Sequence, residues 1–580
     1  LRRYGVEGAP RGPAALLTAG LPHEQALRAA CGTRRIADLG DRLAIAWSGD
    51  ADAGDRSSAN ATLVSARPFD LAGRRQGIDP AAARPASEIA DGAVAAPHVP
   101  PVFDPRGADH GVREIRIDDA GIGFDAILDT GWTPPDVQMA VGPGHIVAIT
   151  NGRISFFDKS GAQSFTMPIE GAGGFWGSVG ASNFVFDPEV IYDPLSDRFW
   201  AVASEGNAPP GGSHSYALVA VSDDSDPNGT WFKYRFDTTS VAGSIFDSPN
   251  IGVDANAVYV TGDGSLGNYQ ILIWDKASLL AGSPPAISKS LNYITTNQSA
   301  GLPPVTFPDS PRVVLIEHKE AASNSSVTLV AINDPLGTPN LSTALVTVPA
   351  YTKPEDPPQK GTSVRPETFD ARFWSSANRN GSIWATHHVG VSRVLARWYQ
   401  VALNGWPDSG NLPMLAQSGT IDPGGTWRTF FSAIGVDGEN NAVMTFAASS
   451  PTEYIQMAVA TRKATDPPGS FGPMEIVKSN SGPYTEANRW GDYAAVRPDE
   501  GSAGTFWANH EYAVSSNNWR TWVQQVILPP SSDLDGDGLV NGADLGILLG
   551  AWGTPGPGDL NGDGVVDGAD LGNLLADWTG

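Results

Sequence analysis

Short hydrophobic runs separated by turn-forming residues fill the chain from about residue 130 to residue 528. The runs are rich in Val, Ile, Phe, Tyr and Trp, and Gly, Pro, Asn and Asp lie between them. Apolar positions at the helical spacing of three and four residues do not extend over any long segment of this region. Because β-branched and aromatic runs with such punctuation are typical of strands, the pattern predicts an all-β body.

The hydrophobic runs also repeat along this body. The sequence GSIWATHH at Gly381–His388 is similar to GTFWANHE at Gly504–Glu511, two periods of about 61 residues later. Val253 and Val436 lie in similar phrases, three such periods apart. A period of this length in an all-β chain predicts the four-stranded blades of a β-propeller. We expect seven blades, which begin near Pro135, Phe186, Phe246, Phe307, Phe369, Phe430 and Trp490.

Two helical patterns follow the body, each after a segment dense in Asp and Gly. Their apolar residues recur at i, i+3, i+4 and i+7, which predicts two short helices whose apolar faces pack against each other. Pro-containing segments precede both Asp-rich segments, so we expect no helix to enter them. The apolar residues are Leu545, Leu548, Leu549 and Trp552 in the first helix and Leu571, Leu574, Leu575 and Trp578 in the second.

The Asp-rich segments place oxygen donors at the spacing of an EF-hand calcium loop. In each copy, side chains occupy loop positions 1, 3, 5, 9 and 12, Gly occupies position 6, and position 7 offers its backbone carbonyl. Position 12 is Asp in both copies, where EF-hands carry the longer Glu. Hard oxygen donors favour calcium over softer metals, so we predict two Ca²⁺ ions. The predicted ligands are Asp533, Asp535, Asp537, Leu539, Asn541 and Asp544 in the first loop and Asp559, Asn561, Asp563, Val565, Asp567 and Asp570 in the second.

Residues 533–580, with two such loops and a helix after each, resemble a dockerin, a module that attaches secreted enzymes and surface proteins to cohesin domains. The resemblance implies a small all-α calcium-binding module, a cohesin-like or other surface protein as its partner, and a secreted, extracellular or cell-surface location. Dockerins often carry a Ser-Thr pair at loop positions 10 and 11. This chain has Gly542-Ala543 and Gly568-Ala569 there, so it departs from the pattern at the positions that select the partner.

An aspartate lies near the predicted start of all but one of the blades. If these positions begin the innermost strands, their carboxylates meet at one end of the central pore. Two interpretations remain open. The favoured one is that each carboxylate accepts backbone N–H bonds and holds its own blade, and the other is that the ring binds a cation or the hydroxyls of a glycan. The ring residues are Asp136, Asp187, Asp247, Asp309, Asp370 and Asp492, and Phe431 lies at the remaining blade.

Three segments of the body resemble a family of secreted bacterial propeller proteins whose activity is unsettled. The segments are Asp187–Ser204, Phe246–Thr261 and Arg489–Tyr512. The resemblance implies the propeller fold over most of residues 130–528 and an extracellular setting, and it implies no particular reaction.

Composition limits the classes of partner. The net charge of −25 argues against nucleic acid and anionic membranes. No apolar stretch approaches the roughly 20 residues of a membrane-spanning helix. The single cysteine excludes an intramolecular disulfide, and the opening LRRYG lacks the apolar core of a signal peptide, so we expect a processed chain or a fragment.

The composition also sets the expected domain boundaries. Residues 1–130 are rich in Ala, Arg and Pro and contain no Lys, which predicts a partly irregular region. Within it we expect a short helix at PHEQALRAACG, a hairpin from RLAIAWSG and ATLVSARPF, and a strand at Val112–Ile117 that joins the propeller. The propeller then spans 131–528, a short linker spans 529–532, and the dockerin-like module spans 533–580.

Candidate catalytic residues lie on two strands at equivalent positions and just before the second strand. His387, His510, Glu511, Asp492 and Tyr493 are candidates for acid–base cleavage of a glycosidic bond. The favoured interpretation is that each His beside Trp is a buried structural residue. We therefore predict a secreted calcium-binding propeller that attaches through its terminal module and binds a glycan or a protein. A polysaccharide-degrading hydrolase of glycoside hydrolase or sialidase-like type and an extracellular structural or filament subunit are the alternatives.

Overall fold

The computed structural model describes most of the chain beyond residue 120. The described residues are 121–181, 184–206, 214–243, 245–264, 268–293, 310–318, 323–486, 488–502, 504–528, 532–535, 540–556, 558–561 and 564–578. Before residue 121, the backbone of six strands is described.

The chain divides into two compact units, residues 1–103 and 104–580. In the first unit, two short sheets are described, and one of them pairs the segments of the expected hairpin. The expected helix at PHEQALRAACG lies outside the described residues. The strands of the first unit are Arg2–Tyr4 with Pro10–Pro13, and Arg35–Asp38 with Leu43–Ala46 and Ala61–Thr62.

The second unit contains six hydrogen-bonded sheets, which we name A to F in chain order. Sheet A contains Gln138–Val141, His145–Thr150, Arg153–Asp158 and Gln163–Pro168. Sheet B contains Val185–Asp193, Arg198–Gly206, Ser215–Ser222 and Trp231–Asp237. Sheet C contains Phe246–Val253, Ala257–Gly264, Asn268–Asp275 and Ser288–Tyr293.

The remaining three sheets complete the all-β body that the hydrophobic runs predict. Sheet D contains Val314–His318, Ser323–Asn333, Asn340–Thr352, Phe373–Arg379, Ser382–Gly390, Val394–Ala402 and Met414–Thr420. Sheet E contains Arg428–Val436, Ala442–Ser450, Glu453–Arg462, Met474–Ser479 and Val112–Glu114. Sheet F contains Ala495–Pro498, Thr505–Ser515, Asn518–Ile527 and Gly123–Leu128.

The inner strands are buried along their whole length. Every residue of Ser382–Gly390 and of Ala442–Ser450 is buried. The outer strands Ser288–Tyr293 and Met414–Thr420 instead alternate exposed with partly or fully buried residues over most of their length. A strand covered by a sheet on each face must be apolar on both sides, whereas an outer strand meets solvent on one face.

The hydrophobic core is divided among clusters that lie between consecutive sheets. Ala140 of sheet A and Val190 of sheet B belong to one cluster, and Ile434 of sheet E packs with Trp398 of sheet D in another. The last sheet also packs on the first, since Trp507 of sheet F and Met139 of sheet A share a cluster. The last sheet of the series therefore packs against the first.

The strand Gly123–Leu128 contributes to this closure. It pairs antiparallel with Asn518–Ile527, so the outermost strand of the last sheet comes from the chain just before the first sheet. The sequence-based boundary at 131 omits this strand, because a pairing across about 400 residues leaves no local signal. The strand Val112–Glu114, within the expected Val112–Ile117, pairs in parallel with Met474–Ser479 of sheet E.

Four α-helices and a 3-10 helix are described. They are the 3-10 helix Gly177–Val179, α1 at Thr239–Ala242, α2 at Lys276–Leu280, α3 at Gly542–Gly550 and α4 at Gly568–Ala576. The helices α3 and α4 pack around a small core in which Leu548 and Leu574 are fully buried. Leu549, Trp552, Leu575 and Trp578, which the pattern assigned to the packed faces, are 51%, 46%, 53% and 40% exposed. The core is filled instead by the loop residues Val540, Leu560 and Val566.

Candidate functional site

Three carboxylates of the first Asp-rich loop converge on one point. Oxygen atoms of Asp533, Asp535 and Asp544 all lie within 4.8 Å of one another. Asp533 and Asp535 precede α3, and Asp544 lies in its first turn. The start of the helix thus carries the position-12 side chain back to the beginning of the loop.

The position-12 carboxylate also organises the loop backbone. Oδ1 of Asp544 accepts the N–H groups of Leu534 and Asp535 at 2.6 and 3.1 Å, and Oδ2 accepts the N–H of Asn541 at 2.8 Å. Burial raises the pKa of Asp544, but these backbone donors outweigh it and hold the pKa below its usual value. The carboxylate is therefore charged and fixed before any ion arrives.

The second loop repeats this arrangement. Oδ1 of Asp570 accepts the N–H groups of Leu560 and Asn561 at 2.6 and 3.0 Å, and Oδ2 accepts the N–H of Asp567 at 2.7 Å. Oδ2 of Asp559 accepts the N–H of Gly564 at 2.9 Å across the turn. The two loops therefore share one backbone scaffold, as their sequence similarity predicts.

The position-9 side chains cap the helices. Asn541 accepts the N–H of Ala543 at 2.8 Å, and Asp567 accepts that of Ala569 at 2.7 Å. Because these oxygens already have donors, they would reach an ion through water, as position 9 of EF-hand loops often does. Three of the predicted ligands lie outside the described residues: Asp537, Leu539 and Asp563. Val565 follows the turn glycine Gly564 in the second loop and is 44% exposed.

The donor set fits calcium. The converging atoms are carboxylate oxygens, and neither loop contains His or Cys. In the first loop Asp533, Asp535 and Asp544 would hold the ion, and Asp559, Asn561 and Asp570 are their counterparts in the second.

A second group of carboxyls comes from the starts of the first strands of sheets A, B and F and from the second strand of sheet F. We call Asp136, Asp187, Asp492 and Glu511 the central acidic cluster. Asp136 and Asp187 are near enough that each shifts the pKa of the other. Nδ2 of Asn151 donates to Oδ2 of Asp136 at 2.6 Å. Neighbouring carboxyls in an enclosed site do not ionise together without a cation nearby.

The neighbours of the cluster bind only part of its oxygen atoms. Oδ2 of Asp187 accepts the N–H of Ser248 at 3.2 Å, and Oδ2 of Asp492 accepts from Nη2 of Arg489 at 2.6 Å. Among the residues that the structure describes, nothing donates to Oδ1 of Asp492 or to either carboxylate oxygen of Glu511. Glu511 is 1% exposed, so bulk solvent does not supply the missing donors.

Burial is the main influence on the pKa values of the cluster. It raises the pKa of Asp187 and of Glu511 well above their usual values, and neighbouring carboxyls raise both further. Burial and Asp136 raise the pKa of Asp492 to about 8, although Arg489 opposes the shift. The cluster therefore retains protons at neutral pH unless another cation replaces them.

The predicted aspartate ring is divided between different roles. Asp136, Asp187 and Asp492 belong to the cluster, and Asp247 lies near enough to raise the pKa of Asp187. Asp370 instead binds the guanidinium of Arg372 through two hydrogen bonds. Asp309 lies outside the described residues.

Sequence reasoning did not identify Ser248 as a member of the ring. Its φ of 50° matches the values of 51° at Asp136 and 49° at Asp187, so it takes the equivalent backbone position. Asp247 precedes that position by one residue. The spacing of 61 residues from Asp187 to Ser248 is the signal that would have found it.

The candidate catalytic histidines are buried, and both nitrogens of each ring are bound. In His387, Nδ1 donates to the carbonyl of Ala371 at 2.7 Å, and Nε2 accepts from the hydroxyl of Tyr399 at 3.0 Å. In His510, Nε2 donates to the carbonyl of Phe431 at 3.1 Å, and Nδ1 accepts the N–H of Glu511 at 2.8 Å. Burial lowers the pKa of His387 well below its usual value and that of His510 to about 4. Neither ring offers a proton to a substrate in this arrangement.

Tyr493, the remaining candidate, lies beside the cluster. It is 9% exposed, and its ring packs edge-on against Trp374 with centroids 5.9 Å apart. Burial, followed by the nearby carboxyls of Asp187 and Asp136, raises its pKa well above the usual value. Tyr493 is thus a neutral hydrogen-bonding group.

A mostly apolar cavity with several polar side chains in its lining lies between the first strands of several sheets. Its lining includes Gln138, Glu189, Asn250, Ser375, Val496 and Arg497. Oε2 of Glu189 accepts the N–H of Ile251 at 2.7 Å. Burial raises the pKa of Glu189 to about 7, although Ile251 and the charge of Arg497 oppose the shift. Burial likewise lowers the pKa of Arg497, and Glu189 opposes that shift.

We expect the substitution Glu189→Gln to change the pH dependence of stability. The pKa of Glu189 is higher in the folded chain than in the unfolded chain. Its contribution to the free energy of unfolding is therefore fully present below about pH 4.3 and is lost as the pH rises through 7. Relative to the parent chain, the variant should therefore gain about 2 kcal/mol between pH 5 and pH 8.

Urea unfolding at the two pH values measures this difference. The exposed Glu439→Gln provides the matched control, for which no such gain is expected. An equal stability difference at both pH values for Glu189→Gln would contradict the prediction.

Comparison with known proteins finds distant similarity in structure. No protein-family profile and no curated protein matches the chain. The sialidase of Trypanosoma rangeli is 11% identical with a TM-score of 0.34, over 69% of this chain and 59% of the sialidase. The haemagglutinin-neuraminidase ectodomain of parainfluenza virus 5 is 7% identical with a TM-score of 0.36, over 60% and 82%. A GH43_1 enzyme from Xanthomonas citri is 10% identical with a TM-score of 0.25, over 50% and 91%.

The chain thus spans less than two thirds of the length of the sialidase, with 59% covered. Within the described residues, no helix is both long enough and apolar enough to cross a membrane.

Proposed function

We propose that the chain is a secreted, calcium-dependent attachment protein. Its two terminal loops bind one Ca²⁺ each, the helices that follow form a dockerin-like module, and a seven-bladed propeller carries the ligand-binding surface. The observation that carries the proposal is the convergence of the oxygens of Asp533, Asp535 and Asp544 within 4.8 Å. Three like charges so close repel one another strongly, and a bound cation removes that repulsion.

The blade count is supported by the way in which sheet D is joined. Its seven strands are connected through one residue pair, Thr352 with Gly390. Division at that pair separates three strands from four and gives seven groups of strands in the second unit. The packing of sheet F on sheet A supports a closed ring of these groups.

The docking role is supported by apolar side chains that the terminal helices leave exposed. Leu549 and Trp552 follow the first loop, and Leu575 and Trp578 lie at the matching positions after the second. Large exposed apolar side chains in such a small module mark a surface for another protein. A cohesin-like surface protein is the partner that the dockerin resemblance implies, and extracellular calcium would keep the loops filled.

The binding role of the propeller is supported by the cavity that Glu189 and Arg497 line. The partly buried carboxyl and the guanidinium in its lining supply an acceptor and donors for the hydroxyls of a glycan. The bound histidines favour binding over acid–base catalysis. Release of reducing sugar from a polysaccharide panel by the intact chain would favour the hydrolase alternative instead.

The attachment proposal predicts the behaviour of Ala543→Arg and Ala569→Arg. Both alanines are exposed at equivalent places in the two copies, so two docking orientations are available. Each single variant should bind at most about twofold more weakly, the statistical factor for one lost orientation. The double variant should lose binding to a panel of recombinant cohesin domains in biolayer interferometry with calcium present.

Thermal unfolding of the same variants separates docking from an internal clamp. If α3 and α4 serve to hold the propeller, either single variant lowers the main melting temperature with no partner present. That result, or an absence of binding to every cohesin by the parent chain, would contradict attachment through this surface.

A further inference from the structure

The carboxyls of the central acidic cluster outnumber the cations that touch them; Asp136 and Glu511 are fully buried, and Asp187 and Asp492 are partly buried. Asp136, Asp187, Asp492 and Glu511 supply four acidic groups, and Arg489 binds one oxygen of Asp492. Arg372, the other nearby guanidinium, binds Asp370 through two hydrogen bonds. Buried carboxylates are normally paired with a cation or bound to a metal, because their desolvation is otherwise uncompensated.

Glu511 has no bonding partner although it is enclosed. Both of its carboxylate oxygens lack a donor among the described residues, and the residue is 1% exposed. Its carboxylate lies beside the backbone of Gly491, the residue before Asp492, and the charges of Asp136 and Asp492 act on it. An unpartnered buried acceptor directed at other carboxylates indicates that a positive group belongs between them.

The backbone around Glu511 leaves room for its carboxylate. A Cβ atom on Gly491 would lie 2.7 Å from Oε1 and 2.9 Å from Oε2 of Glu511, so no larger residue fits there unless the carboxylate moves. Gly491 immediately precedes Asp492, and the absent side chain therefore brings two acidic groups close together.

The equivalent position two blades earlier, at the matching point of the repeat, carries His388. Its Nδ1 accepts the N–H of Phe431 at 3.1 Å, and its Nε2 donates to the carbonyl of Thr368 at 2.8 Å. The neutral imidazole of His388 therefore has a hydrogen-bond partner at both ring nitrogens. Glu511 stands at the position of His388 and has a carboxylate in place of the fully bonded imidazole. Asp136 stands at the position of Phe431 and adds a second carboxylate.

We propose that the central acidic cluster binds one hard divalent cation, with calcium as the representative ion. All of its donors are carboxylate oxygens, and the nearest histidines, His388 and His510, already use both ring nitrogens. In this arrangement the neighbouring carboxylates of Asp136 and Asp187 hold the ion directly. The oxygens of the cluster are spread more widely than those of the first terminal loop. Asp492 and Glu511 therefore complete the coordination shell of the ion through a bridging water or after their side chains rotate.

The test uses the full chain with both terminal loops disabled by Asp533→Ala and Asp559→Ala. After dialysis against calcium chloride, elemental analysis of this background should find one calcium per chain. Calcium should also raise the melting temperature of its main transition by about 3 °C or more relative to chelator. The addition of Glu511→Gln or Asp136→Asn, each of similar size, should remove both the ion and the shift.

Glu189→Gln on the same background is the matched control, since it removes a buried carboxyl outside the cluster, and it should keep the ion and the shift. A background that contains no calcium and shows no shift would overturn the proposal. So would a Glu511→Gln chain that retains both. Far-UV circular dichroism confirms that each variant is folded, and Asp136→Asn keeps the test open if Glu511→Gln does not fold. The terminal loops do not bind calcium in these variants, so the outcome is independent of the proposed attachment function.

Discussion

A chelator added to the intact chain is expected to unfold α3 and α4 while the sheets of the body stay folded. Without an ion, Asp533, Asp535 and Asp544 repel one another across less than 4.8 Å. Each helix has nine residues, a length at which isolated helices are unstable in water. The core between them is fully buried only at a few apolar residues, so ion binding and folding are coupled.

Amide hydrogen exchange with and without calcium measures this effect residue by residue. Protection at 542–550 and 568–576 should fall by at least about a hundredfold in chelator, the change for roughly 2.7 kcal/mol. Protection in Ala442–Ser450 should not change. Asp577→Asn removes one charge outside the loops and should behave like the parent chain. Equal protection of the helices in both conditions would contradict the coupling.

The substitution Asp370→Ala is expected to destabilise the body by about 3–5 kcal/mol. Oδ1 of Asp370 accepts from Nε of Arg372 at 3.0 Å and Oδ2 accepts from Nη2 at 2.7 Å. The two side chains are 12% and 28% exposed, so the variant leaves a largely buried guanidinium with its ion-pair partner removed. Breaking such a pair from one side costs far more than the pair contributes.

Urea unfolding followed by tryptophan fluorescence checks this value. The double variant Asp370→Ala with Arg372→Met is the control, and it should recover much of the loss because the buried charge is gone. A loss below about 1 kcal/mol for Asp370→Ala, the size expected of an exposed pair, would contradict a buried ion pair at this position.

The sequence predicted the type of the body because its strands carry their own signal. Inner strands such as Ala442–Ser450 are buried along their whole length, which produces the largely apolar runs. The closure by Gly123–Leu128 was not predictable, since it pairs a short segment with a strand about 400 residues later. Local patterns report burial and turn chemistry, whereas the partner of an edge strand depends on the complete ring.

The candidate sites show the same division. The convergence of Asp533, Asp535 and Asp544 was predictable, because they lie within one short segment at the spacing of a calcium-binding loop. The meeting of Asp136 with Glu511 was not, because it depends on the packing of the last sheet on the first. For Leu549 and Trp552, the helical period identified an apolar face, but it does not say whether that face meets the module or a partner.

The central claim is that each terminal loop binds one calcium ion, and the calcium content of the chain tests it most directly. Elemental analysis after equilibrium dialysis compares the parent chain with the variant that carries Asp533→Ala and Asp559→Ala. The account predicts that the variant contains two fewer calcium ions per chain and that Asp577→Asn contains as many as the parent. An equal calcium content in the parent chain and the double variant would contradict it.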